Sequence, residues 1–156
     1  MNRVKTALLG LAILAALAAA VFFWKYSEWV AIPKAREPMV SLLRDPASAQ
    51  TRNERITKAG VLCGEVNAKN SMGGYVGFRK YISYGPQSNY VEGSGLLNEE
   101  STQDMIARLE VQTELLRSRN KQREEGIEVS AYSEPELHEV AQRRIFEDRW
   151  RESCAT

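Results

Sequence analysis

The stretch LCGEVNAKNSMGGYVGFRKYI, residues 62–82, decides the fold that the sequence predicts. Two runs rich in strand-forming residues, 61–68 and 75–84, flank the polar segment 69–74. Adjacent glycines close that segment, and glycine accepts the positive φ angles that a chain reversal needs. The pattern predicts an antiparallel β-hairpin, and a short apolar run near residue 90 predicts a third strand.

Two helices are predicted to follow the hairpin. Ser101 is a typical N-cap residue for a helix over 101–123, and Ser133 is one for a helix over 134–153. The first helix has a narrow apolar stripe, formed by Met105, Ile106, Leu109, Thr113 and Leu116. We interpret the charged stretch 99–140 as a helical insertion, and its stripe favours a partner helix from an envelope protein.

The second helix has a fuller apolar side, which we expect to cover one face of the hairpin and to shield Val66 or Phe78. The predicted fold class is therefore α+β. It consists of an N-terminal transmembrane helix and a small antiparallel hairpin or sheet packed by C-terminal helices. The folded domain is placed at 38–156.

The N-terminal segment is predicted to cross a membrane. Residues 6–24 contain no charged side chain, and as a helix they extend about 28 Å, close to the thickness of a bilayer's hydrocarbon core. We interpret residues 1–29 as an uncleaved signal anchor with its N-terminus in the cytoplasm. A signal peptide cleaved within 16–20, where small residues alternate, is the alternative. Two prolines favour a non-helical linker at 30–37.

Cys63 and Cys154 are the two cysteines of the chain. In an exported protein an even pair favours one structural disulfide, here closing a loop between the hairpin and the last helix. Two alternatives stay open: a reactive thiol at Cys63, for which His138 is the one histidine that could act as a base, and two buried free thiols.

The hairpin also carries a candidate surface for a ligand or a partner. Its members are Asn67, Lys69, Asn70, Gly73, Gly74, Tyr75 and Arg79. Backbone N–H groups in such a loop can form an anion-binding nest, although the spacing of a phosphate-binding loop is missing. Turn formation is the competing interpretation, and it is favoured for the two glycines.

Several chemistries are disfavoured by composition. One histidine and two cysteines are too few for a zinc site, and the carboxylates alternate with arginines as they do on solvated helices, so we expect no metal, no cofactor and no enzymatic activity. Residues 1–98 carry 12 basic and 6 acidic side chains, whereas 99–156 carry 9 and 14. This imbalance favours a basic membrane-proximal part and an acidic, solvated helical part. Arg79, Lys80 and Tyr81 mix basic and aromatic side chains as nucleic-acid-binding strands do, but in an exported domain they favour contact with lipid, peptidoglycan or a protein partner.

Three pieces of the chain are similar to a known group. CGEVNAKNSMGGYVGF at 63–78 resembles the CGxVNAKNxxGGYxG core of small exported or membrane-anchored bacterial proteins of unknown function. DPASAQTRN at 45–53 and FEDRWRESC at 146–154, with its WxxxC ending, are similar to two further elements of these proteins. Thr51 departs from the pattern, which usually has phenylalanine there. The resemblance implies an envelope location and no particular activity.

These observations predict a single-pass protein of the bacterial inner membrane, anchored through 6–24, with its main domain in the periplasm or outside the cell. A binding or scaffold role is favoured. Two alternatives are an envelope enzyme acting on cell wall or another periplasmic substrate, and a phage- or secretion-related envelope factor.

Overall fold

The computed structural model describes residues 2–155, and the side chains of residues 10, 11 and 13–155. The chain divides into two compact units, Met1–Lys34 and Ala35–Thr156. The fold class is the predicted one, because an N-terminal apolar helix precedes a five-stranded antiparallel sheet and C-terminal helices.

The N-terminal part is helical. Helix α1 covers Asn2–Tyr26, a π-helical turn covers Ser27–Ala31, and helix α2 covers Ile32–Ser41. Within the described residues, one helical run, Ile13–Ser41, is long and apolar enough to cross a membrane by length and composition. This candidate span overlaps the predicted segment 6–24 at residues 13–24.

The prediction of a non-helical linker at 30–37 is wrong, because α2 continues through both of its prolines. Pro33 directly follows the π-helical turn Ser27–Ala31, where the i→i−4 hydrogen-bond pattern is already interrupted. Pro38 lies close to the end of the helix, so it removes one hydrogen bond from a helix that has only three residues left. The boundary between the two units nevertheless falls in this segment, after Lys34.

The sheet is a meander in which each strand pairs with the next along the chain. Its strands are β1 Gln50–Ile56, β2 Leu62–Asn67, β3 Arg79–Ser83, β4 Asn89–Val91 and β5 Gly95–Leu96. A short 3-10 helix, Pro46–Ser48, precedes β1, and the Asp45 side chain caps it by accepting the N–H of Ser48. A bulge in β1 coincides with a positive φ at Asn53.

The second strand of the predicted hairpin is shorter than the sequence indicates. It was expected over 75–84, but β3 begins at Arg79, and Tyr75 pairs with Lys69 only through an isolated bridge. Gly77 lies between them with a φ of 91°, which an extended strand cannot contain. The intervening segment therefore leaves the ladder and forms a loop beside it.

Helices α3, Thr102–Glu124, and α4, Glu134–Ser153, follow the sheet. Ser101 caps α3 by accepting the N–H of Asp104, and Ser133 begins α4 with a capping box. Both N-termini agree with the sequence. Helix α4 buries Ala141, Ile145 and Phe146, whereas α3 buries none of its residues.

The two faces of the sheet are covered differently. A hydrophobic core joins the sheet to α4 and contains Val61, Cys63, Ile82, Tyr90, Ile145, Phe146 and Cys154. Val66 and Phe78 do not belong to this core, so the expectation that α4 shields one of them is wrong. Side chains alternate along a strand, and Val66, three positions after Cys63, therefore points to the opposite face.

On that opposite face, the position of Tyr81 explains why residue 64 of the stretch 62–82 is a glycine. A Cβ atom at Gly64 would lie 2.8 Å from Cε1 of Tyr81, directly across the β2–β3 ladder. The buried Tyr81 hydroxyl donates to Glu54, whose carboxylate also accepts a 2.8 Å bond from Arg36 of α2. Burial and the neighbouring Glu54 carboxylate raise the pKa of Tyr81, so the hydroxyl stays a donor.

Candidate functional site: a basic groove beside the hairpin loop

The hairpin loop is organised by Asn70. Its Oδ1 accepts the N–H groups of Met72 at 3.0 Å and Gly74 at 3.1 Å, and its backbone oxygen accepts the N–H of Gly73 at 3.0 Å. Gly73 has a φ of 78°, as the turn requires. The N–H groups of Met72, Gly73 and Gly74 therefore already have partners within the loop, which favours the turn interpretation over an anion-binding nest.

Asn67 has a structural position as well. It is buried at the end of β2, and its Oδ1 accepts the N–H of Gly77 at 3.0 Å. This bond satisfies a backbone donor in the segment that has left the ladder. We conclude that Asn67 orients the loop.

Lys69 and Tyr75 connect the loop to the 3-10 helix. The backbone N–H of Lys69 donates to Oγ of Ser48 at 3.0 Å, and the Tyr75 hydroxyl donates to the Ser48 carbonyl at 3.3 Å. The Lys69 ammonium lies 5.6 Å from the centre of the Tyr75 ring, within the range of a cation–π contact. These contacts hold the base of the loop against residues that precede the sheet.

A groove of about 350 Å³ lies beside this loop, and we name it the basic groove. Its lining consists of Leu42, Leu43, Arg44, Val66, Ala68, Lys69, Asn70, Val76, Arg79, Val91, Ser94 and Leu97. The lining is mainly aliphatic and contains three cations and no carboxylate. This composition suits a ligand that carries a negative charge on an apolar body.

The three cations of the groove have no carboxylate partner. Within residues 2–155, neither Arg44 nor Lys69 nor Arg79 forms an ion pair. By contrast Arg52 of β1 is paired with Glu65 at 2.5 Å and stacks on Phe78. The positive charge at the groove is therefore uncompensated.

The structure brings together only part of the surface that the sequence predicts. Lys69, Asn70 and Arg79 line the basic groove, whereas Asn67, Gly73, Gly74 and Tyr75 shape the loop next to it. Arg44 was missed. It follows the 32–41 helix in the sequence and reaches the hairpin only through the fold, so no local motif marks it.

The disulfide lies away from the groove, in the core between the sheet and α4. Cys63 and Cys154 are bonded, with their Cα atoms 5.9 Å apart, and both are buried. The adjacent Ser153 hydroxyl lies 2.9 Å from the hydroxyl of Tyr84, and Arg55 donates to the Cys154 carbonyl. This end of α4 is thus attached to β1, β2 and the end of β3.

No group of three or more His, Cys, Asp and Glu side chains within residues 2–155 is placed to hold a metal ion. His138 is exposed on α4 and lines a depression that this helix shares with the turn 93–95 between β4 and β5. The fold and site define a class: an α+β unit with a basic groove that follows, along the chain, a helix that could span a membrane. Comparison with protein-family models, curated proteins and solved structures found no match to this chain.

Proposed function

We propose that this protein is a membrane-anchored binding protein of the bacterial envelope. Helix α1 anchors it with the N-terminus in the cytoplasm, and the α+β unit lies in the periplasm or outside the cell. The disulfide between Cys63 and Cys154 supports this orientation, because such bonds persist in oxidising compartments.

The observation that carries the binding role is the uncompensated charge of the basic groove. Arg44, Lys69 and Arg79 share one concave, largely aliphatic surface without a carboxylate. Opposite unit charges 4 Å apart attract by about 4 kcal/mol near a protein surface, so an anion gains from each cation that it approaches. The ligand class we propose is an anionic amphiphile, with a phosphate at the cations and a hydrocarbon portion on the leucines and valines.

Native mass spectrometry of the full chain in a neutral detergent tests this proposal. The probe is phosphatidylglycerol, compared with phosphatidylcholine, which has the same tails and no net charge. The wild type is expected to retain the anionic lipid preferentially. The Arg44→Gln/Arg79→Gln variant should lose most of that preference.

The matched control is Lys58→Gln/Lys121→Gln, which removes two exposed positive charges outside the groove. It should retain the anionic lipid as the wild type does. Equal retention of both lipids by the wild type, or an equal loss in control and groove variants, would contradict the proposal. Displacement of the lipid by millimolar inorganic phosphate would show that the phosphate alone is recognised.

A scaffold role is the second candidate. Helix α3 leaves Met105, Ile106, Leu109 and Leu116 exposed, and they form one side of the helix. This surface favours a protein partner in addition to the groove ligand.

A further inference from the structure

The outer side of α3 is an exposed apolar surface. We name as the outer stripe Met105, Ile106, Leu109, Thr113 and Leu116, which lie three and four residues apart and are all exposed. A shallow groove of about 370 Å³ runs along it, lined by Ile106, Leu109, Glu110, Thr113 and Arg117. The inner side of the same helix contacts the core through Val111.

The charges at the edge of this groove have opposite sign and no partner. Glu110 and Arg117 form no ion pair within the described part of the chain. They are seven residues apart, about 10.5 Å along the helix, so they lie on the same edge two turns from each other. Glu114, between them, does have a partner, since it faces Arg144 of α4 at 3.7 Å.

We propose that the outer stripe binds the outer stripe of a second copy of this chain, with the two α3 helices antiparallel. A twofold axis near Thr113 places Leu109 beside Leu116 of the second copy and Glu110 opposite its Arg117. The twofold axis makes each of these contacts twice. In a parallel pair the twofold axis would run along the helices and put the two copies of this edge on opposite sides of the seam. Glu110 and Arg117 would then gain no partner from each other, so the charge pattern favours the antiparallel arrangement.

The small residue Thr113 at the axis permits close approach of the two helices. The stripe covers about 3.3 turns of helix. An interface of this length is at the low end of the specific size range, so association of free chains is weak. Anchoring in one membrane raises the effective concentration of the copies and favours the pair. Pairing through the outer stripe does not depend on the basic groove or its ligand.

Sedimentation equilibrium of the full chain in density-matched neutral detergent tests the pair by charge reversal. The wild type is expected to dimerise with increasing concentration. Glu110→Arg and Arg117→Glu should each weaken the dimer roughly tenfold or more, because each turns two attractive pairs into repulsive ones. The double variant Glu110→Arg/Arg117→Glu should dimerise like the wild type.

Mixing the two single variants gives the most specific test of the proposed charge pairs. The two single variants are complementary to each other, so an equimolar mixture should form a heterodimer although each alone is monomeric. Arg143→Glu, a charge reversal on the exposed side of α4, is the matched control and should leave the dimer unchanged. A monomeric wild type, or single variants that dimerise as the wild type does, would overturn the proposal.

Cysteine cross-linking distinguishes the direction of the pair. Thr113→Cys lies at the proposed axis and should form a disulfide-linked dimer under mild oxidation. Ile106→Cys should not, because the two copies of residue 106 are about 14 residues apart along the antiparallel pair, roughly 21 Å. Cross-linking of both variants would indicate a parallel pair, and cross-linking of neither would exclude the interface; either result overturns the proposal. Near-ultraviolet circular dichroism confirms that each variant is folded.

Discussion

Helices α3 and α4 have similar lengths, 23 and 20 residues, and both begin at a serine N-cap, but they belong to the fold in different ways. Helix α4 places Ala141, Ile145 and Phe146 in the core, and Cys154 at its end is bonded to β2. Helix α3 has no buried residue and leaves its apolar stripe exposed. Since helices in proteins are stabilised mainly by packing, the pair shows that similar local signals can accompany very different amounts of burial.

The polar contacts of α3 complete the comparison. Its first turn is attached to the sheet, because the Tyr90 hydroxyl donates to Asp104 at 2.8 Å, and Arg149 of α4 lies 3.5 Å from the same carboxylate. Helix α3 is therefore held by the partly buried hydrogen bond between Tyr90 and Asp104 and by packing of Val111 against the core. Helix α4 is held by its apolar face and by the disulfide bond.

The largest expected effect follows from breaking the covalent bond. Cys63→Ala and Cys154→Ala should each lower the free energy of unfolding by about 2–5 kcal/mol, because the bond closes a loop with a sequence separation of 91 residues. The double variant should cost no more than either single one, since both remove the same bond. Urea titration of the full chain in neutral detergent measures these values.

The same bond has a direct chemical check. Under native oxidising conditions neither cysteine should react with a thiol-specific label, and both should react after reduction. Labelling of two cysteines before reduction would contradict the bond and the proposed orientation together.

A matched pair of isoleucines tests the difference in burial. Ile145 of α4 is 9% exposed and Ile106 of α3 is 51% exposed. Ile145→Ala should lower the free energy of unfolding by about 2–5 kcal/mol, because it leaves a cavity in the core. Ile106→Ala should change it by less than about 0.5 kcal/mol, measured at concentrations where the chain is monomeric. Similar costs for both would mean that α3 is part of the core.

The hydrogen bond between Tyr90 and Asp104 should have a smaller effect that depends on pH. Tyr90→Phe should lower the free energy of unfolding by about 1.5–3 kcal/mol near neutral pH, because it removes a hydrogen bond to a charged group. Burial works to raise the pKa of Asp104, but hydrogen bonds from Ser101 and Tyr90 and the charge of Arg149 hold it below its ordinary value. The contribution of Asp104 is therefore complete above its unfolded pKa and is lost as the pH falls through the folded one.

The stability of the protein at alkaline pH should depend on Tyr90. Burial, with the hydrogen bond to Asp104, raises the pKa of Tyr90 from 10.0 to about 12. Its contribution is fully present below pH 10 and is lost as the pH rises through about 12. Urea titrations between pH 7 and 12 should show a smaller alkaline loss in Tyr90→Phe than in the wild type. An unchanged slope would mean that this contact does not hold α3.

The smallest effect is expected at the ion pair before α3. Arg108 donates to Glu100 at 2.7 Å, and this contact lowers the pKa of the Glu100 carboxyl. The pair is partly exposed, so Arg108→Gln should lower the free energy of unfolding by less than about 1 kcal/mol. Added salt should reduce the difference from the wild type, and a larger, salt-independent cost would indicate a packing role for Arg108.

Local sequence signals predicted most of the elements. The serines at 101 and 133 marked both C-terminal helices, the glycines after Asn70 marked the turn, and the uncharged run 6–24 marked the N-terminal helix. These features depend on residues within a few positions of one another, which is why a single sequence contains them. The strand periodicity also contains the orientation of Val66. Val66 is three positions after Cys63, so its side chain lies on the face of the sheet opposite the disulfide, and the expectation that α4 shields it did not use this periodicity.

Long-range contacts decided the rest. The basic groove exists because Arg44, Lys69 and Arg79 come together from three separate segments of the chain. A local motif covers only a few neighbouring residues, so no motif predicts that these three side chains meet. The outer stripe of α3 was visible in the sequence, but its exposure was not, because burial is set by which side of the helix the sheet and α4 leave open. The sequence determined the local elements through backbone preferences and periodicity. Only the tertiary structure, by bringing distant side chains together, decided which of them form the core, the groove and the exposed surface.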